Sequence, residues 1–192
     1  MTSKINHAAY DTIADIYDGM HQSDDELDEN DQITGLAGYE KGRVLDIGCG
    51  TGLFLEYVTP DDYVGIDPSP KMLIKHQRKF PVGPGALTIC TTFEDLLPLP
   101  EKFDVIIALF GAASYVEPRG WSRLPMFLRP AGHFFLMFYA PDYVPKTHEA
   151  GVVLPFHLYT GQPEGVHLRM GNYDLVYGRA APPSQLVEKE TA

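Results

Sequence analysis

Residues 43–57 read RVLDIGCGTGLFLEY, and their pattern decides the fold. The first five residues are strand-like and carry one carboxylate, Asp46. Glycines then occupy positions 48, 50 and 52, and an amphipathic helix pattern begins at Leu53. A tight turn alone needs one glycine. Three in alternate places give up side chains so that the backbone can adopt unusual φ values and approach a ligand closely. In open parallel sheets ligands bind outside the carboxyl ends of the strands, where this turn falls. The spacing also restricts the ligand. A dinucleotide turn needs G-x-G-x-x-G, but position 53 holds Leu, and no phosphate-cradling lysine follows Thr51 and Gly52. Neither pyrophosphate signature is present.

The stretch VGIDPSPKML, residues 64–73, supplies a second clue. Asp67 stands at the tip of the next predicted strand, where a carboxylate can accept hydrogen bonds from both hydroxyls of a ribose. Its structural alternative is the N-cap of the following helix, but Ser69 is better placed for that. Glycine turn and acid together fit an adenosine ligand without a pyrophosphate.

Strand-like and helix-like segments alternate along the rest of the chain, which predicts an α/β domain with a largely parallel sheet. Residues 8–18 and 23–37 read as two helices. Ser23 and Glu26 form a capping box for the second, and its acidic run DDELDEND is a solvated face. Further strands are expected in YVGID, ALTICTT, KFDVIIALFG and HFFLMFY, with helices over SPKMLIKHQRKF and PRGWSRLPMFL, the latter shortened at Pro125. VVLPFHLY and YDLVYGRA are the last strand candidates. APDYVPKTHEAG reads as a functional loop and residues 181–192 as a flexible tail.

The chain has 192 residues, 44% of them hydrophobic, which suits one domain with a core of its own. Its net charge of −11 disfavours nucleic acid as a partner. Lys71, Lys75, Arg78 and Lys79 form the one basic cluster, read as a solvated helix face. No apolar run spans a membrane and the N-terminus has no secretory h-region. Two cysteines, Cys49 and Cys90, without a CxxC pair point to a cytoplasmic setting. No metal site is expected, because no His/Cys pair has zinc spacing and the acidic run lacks an EF-hand's glycine and closing glutamate.

The chain resembles the class I S-adenosylmethionine (SAM)-dependent methyltransferases over residues 8–140, through VLDIGCGTG (44–52), VGIDPSPKML (64–73), TTFEDLLPLPEKFDVIIALFGAASYV (91–116) and LRPAGHFFLMFY (128–139). YDTIADIYD (10–18) looks like the N-terminal lid of small-molecule and ubiquinone-type members. The resemblance implies a Rossmann-like doubly wound, mostly parallel sheet with a shortened C-terminal part. It implies one domain over 1–180, made of lid helices (1–40), core (41–140) and an acceptor-side loop with the last strands (141–180). It also implies SAM as cofactor, S-adenosylhomocysteine (SAH) as product and a small-molecule methyl acceptor.

By the same resemblance Asp46, Gly48, Cys49 and Gly50 lie along the methionine moiety. Asp67 holds the ribose, and Pro68 and Met72 flank the adenine. Phe93 and Glu94 meet its edge, Leu109, Phe110 and Gly111 face the sulfonium, and Tyr10 and Tyr17 close the lid. The family often carries Asp where Thr92 stands, so Glu94 or Asp95 replaces that contact. Methyl transfer needs alignment and exclusion of water, and a base only when the nucleophile must lose a proton. Candidates for such a group are Tyr115, His148 and His157. Tyr139, Tyr143, Phe156 and Tyr159 read either as an acceptor wall or as ordinary core. The short C-terminal third leaves open a homodimer that completes the site, a SAM-using enzyme of another reaction type, and a non-catalytic SAM-binding module.

Overall fold

The computed structural model describes residues 7–20, 24–38 and 42–180. Seven strands form one sheet in the order β3–β2–β1–β4–β5–β7–β6. β1 (Arg43–Ile47), β2 (Asp62–Asp67), β3 (Ala86–Cys90), β4 (Phe103–Ala108) and β5 (Leu128–Tyr139) run parallel. β7 (Tyr173–Arg179) is antiparallel to β5, and β6 (Val166–Met170) is antiparallel to β7. The chain passes from β1 to β2 on one side and later returns to β4 on the other. That reversal opens a crevice above the carboxyl ends of β1 and β4.

The apolar run of β4 is buried on both faces, as a central parallel strand requires. Ile106 and Ala108 join a cluster with Leu45, Val64, Leu136 and Trp121 on one face. Val105 and Ile107 join the other, with Val44, Tyr63, Phe54 of α2 (Leu53–Tyr57), Leu73 of α3 (Pro70–Lys79) and Ile33 of α1 (Asp24–Gly38). Completely burying one such aliphatic side chain contributes about 1.5–3 kcal/mol. No helix among the described residues is long and apolar enough to cross a membrane. The Ser23–Glu26 capping box and the tail 181–192 lie outside the described residues and side chains.

Three expectations change. Residues 8–18 form not a regular helix but a 3-10 segment, His7–Thr12, then turns and a second one, Asp18–Met20. The anchors of this segment point in different directions. Ile13 and Ala14 pack with Met72, Val152 and Leu154, Asp11 turns to α3, and Tyr10 turns to Tyr115. A single helical face cannot serve all three. PRGWSRLPMFL gives a 3-10 turn, Pro118–Arg123, and a four-residue α4 (Leu124–Phe127), because Pro125 cannot donate within a longer helix.

VVLPFHLY is no strand. Val152 and Leu154 pack beneath the 3-10 segment, and Pro155 lacks the N–H that a ladder needs. The edge strand is VHLRM instead. Val166, Leu168 and Met170 alternate with His167 and Arg169, whose side chains reach Asp174 at 3.0 Å and Asp142 at 2.6 Å. Between β5 and β6, residues 140–165 contain only a 3-10 turn, Lys146–His148.

Candidate functional site

Above the carboxyl ends of β1, β2 and β4 lies a cavity of about 360 Å³. The glycine turn forms its floor. Gly48, Gly50 and Gly52 have φ of 71°, 52° and 92°, all in the left-handed region that favours glycine. A Cβ on Gly48 would lie 2.7 Å from that of Ala112, and one on Gly52 would lie 2.9 Å from the Phe80 ring. The turn is tied to the end of β2. Gly48 N and Cys49 N both donate to the Ile66 carbonyl, at 2.8 and 3.0 Å, and Gly50 N donates to Asp67 Oδ2 at 3.0 Å.

Asp67 is buried, and its other carboxylate oxygen accepts from Ser69 N at 2.8 Å. Ser69 is the N-cap of α3, its hydroxyl accepting from Met72 N at 3.3 Å, so Asp67 is not needed as a cap. Burial pushes the Asp67 carboxyl up to about 6, against the pull of its two backbone donors. Each oxygen retains a lone pair for a ligand hydroxyl.

Beside Asp67 the wall continues through Pro68, Met72, Thr91, Thr92, Phe93 and Glu94. Arg123 fixes this loop in a way the sequence reading missed. Its guanidinium donates to the carbonyls of Phe93, Glu94 (2.5 Å) and Leu96 (2.6 Å) and lies over the rings of Phe93 and Phe127. Glu94 accepts from Glu117 N at 2.7 Å. Asp95 accepts from the Thr92 hydroxyl instead and is not part of the wall. At the exit of β4, Leu109 and Phe110 line the cavity. Phe110 has a φ of 53°, a strained value of the kind that clusters at functional turns. Gly111 does not line it. It gives room instead, since a Cβ there would enter the Tyr139 ring.

The roof is the segment 7–20, with Tyr10 and Tyr17 facing the cavity. Three acids hold it against the basic face of α3. Asp11 accepts from Ser69 Oγ (2.6 Å) and Lys71 N (3.1 Å), and Asp15 pairs with Lys75 at 3.1 Å. Asp18 accepts from the Thr51 hydroxyl at 2.5 Å and pairs with Lys79 at 2.8 Å. Lys75 and Lys79 are therefore latch partners, not merely a solvated face. The signal was two series at near-helical spacing, acids 11, 15 and 18 (four and three apart) and lysines 71, 75 and 79 (four apart each).

The far wall is built by Tyr115, Tyr139, Tyr143, Tyr173, Lys146 and Thr147, with Glu29 and Asn30 of α1. Tyr10 donates to the Tyr115 hydroxyl at 3.0 Å, and the Tyr115 and Tyr139 rings meet edge to face. Asn30 is buried with its Nδ2 unpartnered. Burial raises the phenols of Tyr10, Tyr17, Tyr115 and Tyr139, so they stay protonated at neutral pH. Of the three proton-transfer candidates, only Tyr115 lines the cavity. His157 turns to Glu117 at 3.7 Å, and His148 is half-buried outside the lining, with its Nε2 buried and unpartnered. Asp46 also lies outside the lining, beneath the turn. The aromatic group divides: Phe156 packs behind Tyr139 at 5.1 Å, and Tyr159 packs on Phe138 across the sheet at 5.4 Å.

Comparison with known proteins agrees with this geometry. Residues 44–132 match the family described as a methyltransferase domain. The biotin biosynthesis bifunctional protein BioCD of Bordetella avium is 29% identical over 73% of this chain and 31% of its own length. The ubiquinone biosynthesis O-methyltransferase of Nitrobacter winogradskyi is 30% identical over 65% of this chain and 48% of its own length. The chain thus spans about a third to a half of the curated relatives it matches. Among solved structures, the N-methyltransferase NodS of Bradyrhizobium japonicum with SAH bound shares the fold. It has a TM-score of 0.60 at 17% identity, covering 88% of this chain and 98% of that one. Strand order, glycine turn and Asp67 agree with the matched methyltransferase domain, and the chain shares the fold of this methyltransferase of known structure.

Proposed function

We propose that the cavity binds SAM and that the chain transfers its methyl group to a small-molecule acceptor, releasing SAH. The observation that carries this reading is the pairing of Asp67 with the glycine turn, joined by the Gly50–Asp67 hydrogen bond, on one wall of a cavity roofed by the acidic latch. In this reading Asp67 accepts from the ribose hydroxyls and the turn runs beside the methionine portion. Pro68 and Met72 flank the adenine, and the loop 91–94 meets its edge. Residues 7–20 act as the lid, and residues 141–180 supply the acceptor side.

The reaction is an in-line displacement. A lone pair of the acceptor forms the bond to the methyl carbon, and the carbon–sulfur pair returns to the sulfonium, leaving neutral SAH. The protein's task is alignment and exclusion of water. The tyrosines stay protonated and act as donors rather than bases, so the acceptor brings a lone pair that is already free. The net charge of −11 supports a small molecule over nucleic acid.

Product analysis by mass spectrometry tests the reading. SAH and a methylated acceptor are expected. Methylthioadenosine would replace it with a SAM-cleaving or other group-transfer enzyme. SAM binding with no turnover on any acceptor would replace it with a binding module.

A further inference from the structure

Beneath the glycine turn lies a buried polar series that does not touch the cavity. Asp46, 4% exposed, precedes the turn and accepts from the Tyr63 hydroxyl at 2.8 Å. That hydroxyl stands 3.3 Å from His76 Nε2, and the Tyr63 and His76 rings stack with centroids 5.8 Å apart. The Tyr63 hydroxyl has one proton and gives it to the carboxylate. The ring nitrogen facing it must then donate, which fixes the Nε2–H tautomer of His76. His76 Nδ1 becomes a bare acceptor, and it is indeed buried without a partner. The series runs from His76 to Tyr63 to Asp46, each bond polarising the next.

The same residues touch the turn at each stage. Asp46 is two residues before Gly48. The His76 ring presses on Gly52, where a Cβ would lie 3.0 Å from His76 Cδ2. In the middle, Gly65 has no side chain, and a Cβ there would lie 2.8 Å from both Cys49 Sγ and the Tyr63 hydroxyl. The missing side chain lets the thiol of the turn settle against Tyr63.

We propose that Tyr63 and His76 are positioning residues for the cofactor, bracing the glycine turn from below through Asp46 at its start and Gly52 at its end. The inference rests on the SAM-binding reading above. Its consequence is a link between pH and cofactor affinity. The groups facing Asp46 are Tyr63 and Asp67 of β2 and Cys49 of the turn; those facing His76 are Tyr63, Phe80 and Lys79. Burial pushes the Asp46 carboxyl up to about 7, and the Tyr63 hydrogen bond opposes that rise. An ionised Asp46 favours SAM, which carries one positive charge more than SAH. Affinity for SAM therefore falls as pH drops through about 7, more steeply than affinity for SAH.

The test is calorimetric titration of wild type, Tyr63→Phe and His76→Gln with SAM and with SAH across about pH 6 to 9, beside thermal unfolding. Tyr63→Phe should weaken SAM binding about tenfold at neutral pH, and SAH binding less. It should also move the acidic fall in SAM affinity to higher pH, because the bond that lowers the Asp46 pKa is gone. His76→Gln keeps a donor near Tyr63 and should retain the pH profile while weakening both ligands, and it carries the test if Tyr63→Phe fails to fold. In Tyr63→Phe, a pH profile identical to wild type or equal losses for SAM and SAH at every pH would overturn the inference, as would unchanged affinity for both ligands in His76→Gln. Wild type that binds neither ligand would remove the SAM reading and the inference with it. Wild type that binds both while the variants match it would remove the inference alone.

Discussion

The β1–β2 end of the sheet and the β5–β6 end are built by different means. At the first, the ligand wall is largely backbone: a turn of three left-handed glycines, a carboxylate fixed by two peptide N–H groups, and a loop whose carbonyls Arg123 holds. At the second, the wall is side chains drawn from α1, β5, β7 and the loop 140–165, and the edge strand exposes Val166 (50%) and Leu168 (45%). Backbone geometry constrains residue type tightly, whereas a side-chain wall can be rebuilt from many sequences. The fixed end suits a cofactor that never changes, and the variable end suits the acceptor.

The sharpest way to break this contrast is to make similar changes at the two ends. Gly48 and Gly171 both have positive φ. Gly48→Val should weaken SAH binding beyond about a hundredfold and cost about 2–4 kcal/mol in denaturant unfolding, since its Cβ would enter Ala112. Gly171→Ala should cost only about 1 kcal/mol and leave SAH binding unchanged, because the nearest obstacle is the mobile end of Glu29. Equal effects on binding would erase the distinction.

Next in size is Asp46→Asn. The raised carboxyl of Asp46 means that the folded state holds its proton at pH values where the unfolded chain has lost it. Asp46 thus lowers wild-type stability as pH rises from about 4 to about 7, with no further change above. The variant should gain on wild type by about 1–3 kcal/mol across that window while binding SAM more weakly. Urea unfolding at several pH values reads the difference, and a constant offset would contradict the assignment.

The latch comes third. Lys79→Ala removes the pairs to Asp18 and Glu56, each worth about 0.2–1 kcal/mol because all three side chains are partly exposed. SAH affinity should drop about two- to fivefold and lose part of its salt dependence, as read by titration at low and high salt. The smallest effect belongs to the far edge. Leu168→Thr should change stability by no more than about 0.5 kcal/mol and leave SAH affinity untouched.

The same contrast explains what could be read from the sequence. RVLDIGCGTG identified the turn because three positive φ values admit little but glycine, and Asp67 was legible because it ends a strand at a fixed distance from that turn. The apolar run of β4 announced a strand buried on both faces. The edge strand VHLRM was hidden because its polar face is satisfied by Asp142 and Asp174, which only the folded hairpin brings near. Pro155 sat in plain view inside VVLPFHLY and should have argued against a strand. Asn30, Lys146 and Thr147 carry no local pattern, since α1 and the loop after β5 meet only in three dimensions. Asp46 showed itself as a motif residue, but its partners Tyr63 and His76 could not be found without knowing that α3 packs behind β2.

Calorimetric titration of the wild type with SAH beside Asp67→Ala is the most direct test. One binding site per chain is expected, with affinity reduced about a hundredfold in the variant because two hydrogen bonds to a charged acceptor are lost. Equal binding by both proteins would contradict the placement of the ribose at Asp67, and no binding by the wild type would contradict the cofactor itself.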